Sequence, residues 1–479
     1  MKNLKAILGL SLSACLCLTG CTMAQKYSRP KAPVPSGWQT GLPTPEGPAT
    51  TEVPAAWSIR WQDFFTDEKL QRVIQMALDN NRDLRMAALN VERVQALYRI
   101  QRAQQYPTLD AAGSGNIYRV PKDLATANLP ANLPVSADAY TYRQYQFEGV
   151  TSWELDLFGR IRSLKKEALE QFLATEQARV ATHISLVAAV ANSYLSLGAD
   201  RDSLHLAQAT LESQQASYEM VLHKRDMGIV SDLDLRQAQS QVEAAQVDIA
   251  RYGGQVILDQ NALNVLVGAP VPDDLLPSEL GRDDAMKDIA AGVSSDVLLR
   301  RPDILMAEHQ LKAAYANIGA ARAAFFPQLS LTASGGLMSG SLSDLFKGTS
   351  GTWSFAPQIV TPIFDAGARR ANLKIAQTNR DSALASYEKA IQTAFREVSD
   401  SLNQRTRLRE QQNAQQALVN TLSETYRLSD ARYKVGIDSY LSVLVAQRSL
   451  YSGQQALVSI RVARLGNLVT LYTVLGGGV

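Results

Sequence analysis

Residues 433–441 read Tyr-Lys-Val-Gly-Ile-Asp-Ser-Tyr-Leu, and residues 225–233 read Arg-Asp-Met-Gly-Ile-Val-Ser-Asp-Leu. Residues 225–233 match residues 433–441 at a shift of 208 residues. A glycine placed between long proline-free segments predicts a turn that ends one helix and starts another. The identical positions in the two turns are Gly228/Gly436, Ile229/Ile437, Ser231/Ser439 and Leu233/Leu441.

The repetition extends over most of the chain, which is 479 residues long. At a shift of 220 residues, segment 82–115 matches segment 302–335. Repeats of this length indicate a tandem duplication of one structural unit. Identical pairs in this segment include Asp83/Asp303, Met86/Met306, Arg102/Arg322, Pro107/Pro327, Leu109/Leu329 and Gly115/Gly335.

Long helices are predicted on both sides of each glycine turn, because these regions contain no proline and are rich in Ala, Gln, Leu and Arg. Apolar residues seven apart also indicate that helices pack side by side. At 1.5 Å per residue the longest helices reach about 100 Å, and shorter pairs can stack end to end beside them. The predicted helices are 67–105, 160–226 and 231–266 in the first repeat and 296–325, 368–433 and 439–474 in the second.

Each repeat also contains a predicted pair of strands, at 106–120 and 139–158 in the first and 326–337 and 352–364 in the second. Apolar and polar residues alternate along them, so each strand has one apolar face. An ordinary soluble sheet with one wet face is the simpler interpretation. Strands of ten or more residues, with Tyr118, Tyr140, Tyr142 and Trp353 near their outer ends, favour contact with lipid instead. Four strands cannot close a barrel, so several chains must share one.

The N-terminus predicts export and a lipid anchor. Residues 1–20 have the basic start, apolar run and small residues of a signal peptide. Leu18-Thr19-Gly20-Cys21 resembles a bacterial lipobox, so Cys21 is the predicted lipidation site. The other two cysteines, Cys15 and Cys17, lie in the signal, which leaves a single cysteine in the mature chain. The following segment, 21–66, holds seven of the 18 prolines between Pro30 and Pro54, and is predicted to be an extended tether.

Composition excludes several function classes. There are 48 basic and 46 acidic residues, so the net charge of +2 gives no basis for nucleic-acid binding. After the N-terminus no run of 18 uninterrupted apolar residues occurs, which argues against a helical membrane protein. Zinc-protease, P-loop and serine-hydrolase motifs are absent, and no histidine pair has metal-ligand spacing, so neither an enzyme nor a metal or other cofactor is predicted. The histidines are His183, His205, His223 and His309.

Taken together, the lipobox, the tether, the duplicated halves and the paired strands resemble the TolC-like outer membrane efflux factors, in the OprM/NodT-type lipoprotein subgroup. The segments that carry this resemblance are 433–441, Ala446-Gln447-Arg448, Arg300-Arg301-Pro302-Asp303 and Ala324-Phe325-Phe326-Pro327. The resemblance covers essentially the whole mature chain.

The resemblance implies a membrane α+β fold. A homotrimer would form a twelve-stranded outer-membrane β-barrel, with four strands per chain, continued by a long periplasmic α-helical barrel with an equatorial collar. Such proteins are passive ducts for drugs or other toxic solutes. Their partners are a periplasmic adaptor protein, an inner-membrane transporter, commonly of the resistance-nodulation-division type, and the outer-membrane lipid. The domain limits are then 1–20 for the signal, 21–66 for the tether, 67–269 for the first repeat, 270–295 for the equatorial connection and 296–479 for the second repeat.

The resemblance also places a gate at the periplasmic tip. Leu441 matches the narrowest ring, and Tyr433 matches a tyrosine that holds the closed tip by hydrogen bonding between helices. Relatives carry acidic residues where this chain has Ser442 and Val445, so a carboxylate ring from the second repeat is in doubt. The acidic candidates that remain at the tip are Asp232, Asp234 and Asp438, each of which could equally be a solvated turn residue or a helix cap.

Three alternatives stay open at this stage. A duct for type I protein secretion would have the same architecture. A periplasmic coiled-coil adaptor lipoprotein would also be exported and helical, although adaptors have one helical hairpin between β-domains rather than two hairpins with duplicated strands. A lipid-anchored periplasmic hydrolase is opposed by the missing catalytic motifs.

Overall fold

The computed structural model describes residues 23–35, 37–38, 59–121, 139–281, 286–287 and 295–477. The signal peptide, Cys21 and most of the proline-rich tether lie outside these residues. The chain divides into two compact units. We call one the strand unit; it comprises the described residues up to and including Pro30 and those within Arg93–Leu173 and His309–Ala385. The other, the helical unit, comprises the described residues within Lys31–Glu92, Ala174–Glu308 and Ser386–Val479.

The two repeats have the same order of elements. The first repeat contains α1 Trp61–Phe64, α2 Glu68–Asn80, α3 Arg82–Ala103, β1 Thr108–Val120, β2 Tyr140–Leu155, α4 Arg160–Asp226 and α5 Asp232–Val267. The second contains α6 Pro302–Ala323, β3 Gln328–Ser339, β4 Gly351–Val360, α7 Ala368–Lys434 and α8 Tyr440–Val474.

Helices α4 and α7 are each 67 residues long, and their bounds agree with the predicted helices to within one residue. The predicted helix 67–105 is wrong as one continuous helix, because Asn81 interrupts it between α2 and α3. The Asn81 side chain accepts a hydrogen bond from the Leu84 backbone N–H at 2.8 Å and donates one to the Leu266 carbonyl at 2.8 Å. A cap that serves two helix ends at once is more favourable here than a continued helix.

The predicted helix 296–325 is also divided. Residues Ser295–Arg300 form a 3₁₀ helix, and α6 begins at Pro302. Proline is favoured at the first position of a helix, since its missing N–H would have no partner there. Arg301 lies at the break, donates hydrogen bonds to Asp303 and Glu397, and donates another to the Val474 carbonyl.

The strand unit contains one antiparallel sheet in the order β1-β2-β3-β4. Its register keeps odd-numbered residues opposite odd-numbered residues, with Phe147 beside Leu337, Leu155 beside Leu329 and Leu329 beside Ile359. Because alternate residues point to opposite faces, the predicted apolar residues of β2, β3 and β4 share one face. The polar residues Gln144, Gln146, Glu148 and Glu154 have even numbers and share the other face.

The register corrects the predicted aromatic girdle. Tyr118 lies opposite Tyr142, and their ring centroids are 5.0 Å apart. Both have even numbers, and the Tyr142 hydroxyl donates a hydrogen bond to Gln144 at 2.9 Å, which places them on the polar face. Position along a strand does not determine which face a side chain occupies, whereas alternation along the strand does. Trp353 does lie on the apolar face and is 80% exposed.

The helical unit has its aromatic core where three chain segments meet. The Phe64 and Tyr472 rings stack at 4.3 Å, and the Tyr472 hydroxyl donates a hydrogen bond to the Ile59 carbonyl. Phe65 forms a β-bridge with Met286. The segment before α2, the equatorial connection and the end of α8 therefore pack together.

Among the described residues, α4 and α8 are long enough and apolar enough to cross a bilayer by length and composition. Neither helix contains 18 uninterrupted apolar residues. Several apolar residues of these helices, including Val190, Leu197 and Leu471, are fully buried within the protein, so packing between helices accounts for part of their composition.

Candidate functional site at the helical tip

Two turns of the same construction join α4 to α5 and α7 to α8. The Ile229 N–H donates to the Lys224 carbonyl at 2.8 Å, and the Ile437 N–H donates to the Arg432 carbonyl at 2.9 Å. Gly228 has φ +73° and Gly436 has φ +78°. These are the features of a Schellman motif, in which a left-handed glycine lets the chain leave the helix while satisfying its last carbonyls. The duplicated sequence thus forms a duplicated turn.

The two turns differ in how the next helix begins. Ser231 and Asp234 form a capping box at the start of α5, and the Asp234 carboxylate accepts hydrogen bonds from both the backbone N–H and the hydroxyl of Ser231. At the start of α8, Ser439 makes no side-chain cap. The residue three positions later is Ser442 and not an acid, so the reciprocal half of the box is missing. Asp234 therefore acts as a helix cap, which is one of the roles that the sequence left open for it.

An ion pair holds the second turn in place of that cap. The Arg432 guanidinium donates two hydrogen bonds to the Asp438 carboxylate, at 2.6 and 3.0 Å, and so spans the turn. The guanidinium holds the pKa of Asp438 below its usual range. The first turn has Lys224 and Val230 at these two positions, so it cannot form an equivalent pair.

A small core, which we call the tip cluster, lies directly behind both turns. The Tyr433 ring lies 5.5 Å from the Tyr440 ring, and the Lys224 ammonium lies 3.9 Å from the centre of the Tyr433 ring. Burial raises the pKa of Tyr440 to about 12, with Tyr433 and Tyr426 adding to the rise. The pKa of Tyr433 is also raised, by burial first and then by the nearby Asp234 charge. The buried members of the cluster are Val221, Leu235, Ala238, Tyr433, Tyr440 and Val443.

Neither tyrosine hydroxyl of the tip cluster has a hydrogen-bond partner within the described part of this one chain. The bond between helices that the family resemblance implies for Tyr433 is therefore not formed among the described residues of one chain, where the hydroxyl is buried. What the single chain shows is a ring packed between Lys224 and Tyr440.

Apolar side chains form the outer surface of the tip. Leu441 is 52% exposed, and Val445, one helical turn later, is 55% exposed. The two share one face of α8, because residues four apart on a helix are neighbours. Asp232 is exposed at the start of α5. Sequence reasoning singled out Leu441 but missed the remaining exposed apolar residues of the turns, which are Met227, Ile229, Leu233, Val435 and Ile437.

Nothing among the described residues is arranged as a metal site, since no group of three or more His, Cys, Asp or Glu side chains converges. The chemistry of the tip is that of apolar surface, ion pairs and helix caps. Such a site can associate and dissociate, and its charged pairs respond to salt and pH.

The sequence model of the family described as outer membrane efflux protein matches residues 73–269 and 293–477. The chain belongs to the outer membrane efflux protein family. The two matched ranges fall in the two repeats, one in each, and together they cover most of the chain.

Individual relatives agree with this assignment. The chain is 46% identical to the probable efflux pump outer membrane protein TtgC of Pseudomonas putida, over 99% of this chain and 96% of TtgC. It is 42% identical to the outer membrane protein OprJ of Pseudomonas aeruginosa, over 98% and 95% of the two chains. Among solved structures, the open state of the Neisseria gonorrhoeae MtrE outer membrane channel is 36% identical, with a TM-score of 0.84 over 95% of this chain and 98% of that one.

Membership of this family confirms the predicted fold class and location. The family members are outer-membrane channels in which strands form a β-barrel and long helices form a helical barrel. This chain is accordingly an outer-membrane efflux protein, and its four-stranded sheet and duplicated long helices are its share of that architecture.

Proposed function

We propose that this protein is the outer-membrane exit duct of a tripartite efflux pump. It conducts drugs or other small toxic solutes passively to the cell exterior, and the helical tip is its gate. A homotrimer supplies a twelve-stranded barrel, and a periplasmic adaptor and an inner-membrane transporter, of the resistance-nodulation-division type, complete the pump. The protein needs no cofactor and catalyses no reaction.

The strand unit supports the barrel. One face of its sheet carries most of the apolar strand residues, with Arg119 and Arg143 near its outer end, while the other carries glutamines and glutamates, as expected between lipid and a wet lumen. Its edge strands β1 and β4 pair only inward, with β2 and β3. In a bilayer the open edges would leave backbone groups without partners, so neighbouring copies must pair with them.

The proposed gate lies at the helical tip. The observation that supports it most is that the two duplicated turns there are stabilised in different ways. One turn is fixed by a capping box, which depends little on salt, whereas the other depends on the exposed Arg432–Asp438 pair. Leu441 and Val445 lie on the helix that follows the salt-dependent turn. Three copies of this face meeting at the axis would make an apolar constriction, in place of the acidic ring that relatives are expected to have.

The N-terminal residues support the lipid anchor. Ala24 packs against Gly319 of α6, where an added Cβ would lie 2.9 Å from the Ala24 Cα, and the Tyr27 ring contacts the Tyr315 ring at 5.7 Å. Gly319 lies nine residues before β3 begins. Cys21 comes three residues before Ala24, which packs on the helix that leads into β3. Mass spectrometry of the purified mature protein tests this: the N-terminal peptide must carry acyl groups on Cys21, and an unmodified cysteine there would contradict it.

Deletion of the gene in its host tests the function. The mutant should become more sensitive to several unrelated drugs, dyes or detergents, and wild-type protein expressed in trans should restore resistance. A matched complementation uses a variant in which Trp353 and Phe355 on the apolar strand face are replaced by Asp, since charges at these positions should prevent insertion. Unchanged sensitivity to every compound after deletion, in a host lacking redundant ducts, would contradict the proposed function.

A further inference from the structure

Polar contacts join two helical hairpins of the helical unit, farther from the turns than the tip cluster. The first hairpin is α4–α5 and the second is α7–α8. The Tyr451 hydroxyl of α8 donates a hydrogen bond to the Asp248 carboxylate of α5 at 2.9 Å. One helical turn further along both helices, the Gln455 amide donates to the Tyr252 hydroxyl at 3.1 Å. These two contacts, together with one more on α4, form what we call the polar seam.

The third contact of the polar seam lies nearer the turns, at Ser213 of α4. Its hydroxyl accepts a hydrogen bond from the Gln447 amide of α8 at 3.1 Å and lies 3.4 Å from the Tyr426 hydroxyl of α7. Gln447 is only 6% exposed. Each contact of the seam therefore crosses from one hairpin to the other, where no turn fixes how far one helix lies along its neighbour.

The polar seam sets the two hairpins at unequal heights. Tyr451 lies 15 residues after Gly436, whereas its partner Asp248 lies 20 residues after Gly228, a difference of five. The other two contacts of the seam, counted in the same way from the turn glycines, give differences of five and four residues. At 1.5 Å per residue, the first turn therefore projects roughly 6–7.5 Å beyond the second.

Burial beside the turns supports the same stagger independently. In the second hairpin the buried residues nearest to the turn glycine are Tyr433 and Tyr440, three and four residues away. In the first hairpin they are Val221 and Leu235, each seven residues away. All four belong to the tip cluster, so about one more helical turn of the first hairpin extends past that cluster.

We propose that the polar seam is a register lock, which holds the second hairpin about one helical turn back from the end of the first. The inference rests on the proposed function, since Leu441 and Val445 of the gate belong to the hairpin whose height the seam sets. Apolar helix faces that repeat every seven residues fit one another in several registers, whereas buried polar groups favour the register in which they meet partners. The seam thus fixes the height at which the apolar constriction forms.

The contact between Tyr451 and Asp248 distinguishes this register from its neighbour. The Asp248 carboxylate is held through its other oxygen, because Arg251 pairs with it at 2.9 Å and stacks on the Tyr252 ring. If α8 slid one turn toward the tip, the Tyr451 hydroxyl would lie against Ala244, which has no polar side chain. Hydrogen bonds to a carboxylate are stronger than those between neutral groups, so the observed register is favoured.

Cysteine pairs placed one turn beyond the seam can report the register without altering it. Four residues further along both helices, Val256 of α5 lies level with Ser459 of α8, and it would lie level with Ala463 after a slip of one turn. Such a slip is roughly 6 Å, enough to move a facing pair out of disulfide range. Val256→Cys/Ser459→Cys is therefore the first reporter and Val256→Cys/Ala463→Cys is the second. Val256→Cys alone excludes a disulfide with Cys21.

The test compares both reporters with and without the seam in the purified, oxidised trimer. Mass spectrometry quantifies each disulfide, and non-reducing gels show that it lies within one chain. Asp248→Leu/Tyr451→Phe replaces the central polar contact by an apolar one, and its thermal unfolding shows whether it folds. Loss of a hydrogen bond to a charged group should raise the yield of the second reporter about tenfold or more. Ser452→Ala, at an exposed position beside the seam, is the matched control and should change neither yield.

Each outcome decides between the proposals. A rise in the second reporter in the folded seam variant, but not in Ser452→Ala, supports the register lock. Unchanged yields in the seam variant overturn it, and so does failure of the first reporter to oxidise when the seam is intact. If the double variant does not fold, Tyr451→Phe alone removes only the hydroxyl and is judged by the same yields. Drug resistance tests the function separately: a lock supported by the reporters, in a protein whose deletion leaves resistance unchanged, would refute the efflux function alone.

Discussion

Leu441 is the side chain on which the proposed gate depends most, so its truncation is the most direct test of the tip. Leu441→Ala removes most of the apolar side chain from each of the three positions in the ring. The wild-type side chain is 52% exposed in a single chain, so about half of its surface remains to be buried when three copies meet.

The magnitude follows from that fraction. Full burial of a leucine side chain contributes about 1.5–3 kcal/mol, so burying the remaining half contributes roughly 0.8–1.5 kcal/mol in each chain. Alanine keeps only a methyl group, and the loss summed over three chains is about 2 kcal/mol or more. Because each 1.4 kcal/mol corresponds to a factor of ten, the open population relative to the closed one should rise about 30-fold.

Single-channel conductance in planar bilayers measures this shift as longer and more frequent openings. Leu233→Ala is the matched control, since Leu233 is the equivalent residue of the first turn and is 66% exposed. It should leave the openings almost unchanged if the ring comes from the second repeat. Wild-type behaviour of Leu441→Ala, or equal opening by both variants, would refute the assignment of the ring to Leu441.

Three further predictions concern the turns. Ser442→Asp should complete a capping box with Ser439 and stabilise α8 by about 1 kcal/mol per chain, whereas Asp234→Ala should destabilise α5 by a similar amount. Thermal unfolding followed by circular dichroism measures both changes. If Ser442→Asp gives no stabilisation, the missing cap at Ser439 does not weaken α8. Gly436→Ala should destabilise the second turn by about 1 kcal/mol or more because Gly436 has a positive φ, although an added Cβ meets nothing within 4 Å. Gly436→Asn should destabilise the turn less, since asparagine tolerates this conformation better. Equal losses of stability in the two variants would indicate that packing, not backbone conformation, is responsible. The third prediction concerns pH: because the pKa of Asp438 is lowered, its pairing with Arg432 is present above the ordinary carboxylate pKa of about 4 and is lost as pH falls below it. Channel openings should therefore increase at low pH. Asp438→Asn should open readily at neutral pH and show no such pH dependence, and Asp232→Asn is the control.

Sequence periodicity predicted the long helices and the apolar strand face well, because both features are repeated many times along the chain. Proline-free segments indicated the long helices, the glycines beside their ends set the limits of α4 and α7, and strict alternation set the face of β2 to β4. Single-residue interruptions were not predictable in this way. Asn81 caps the next helix locally through Leu84, but its amide also donates to the Leu266 carbonyl, which lies 185 residues away.

The tip shows the same division. The glycine turns follow from local sequence, since a Schellman motif needs only its own residues. The Arg432–Asp438 pair and the Lys224–Tyr433 contact depend on how the turn folds back and which helices adjoin it. The sequence therefore points to Asp438 and Tyr433 but not to their partners Arg432 and Lys224. Counting five residues back from Phe147 places Tyr142 on the polar face. Tyr118 joins it there only through the pairing of β1 with β2, in which it lies opposite Tyr142.

The two open edges of the sheet also have a genetic consequence. A protomer with one defective edge still offers a sound edge to its neighbour, so it can enter a ring that it cannot close. If mutant and wild-type chains are made in equal amounts and mix freely, roughly one trimer in eight contains only wild-type chains. Substitutions confined to β1 or β4 should therefore be dominant over the wild-type gene, whereas changes that prevent the chain from folding at all should be recessive.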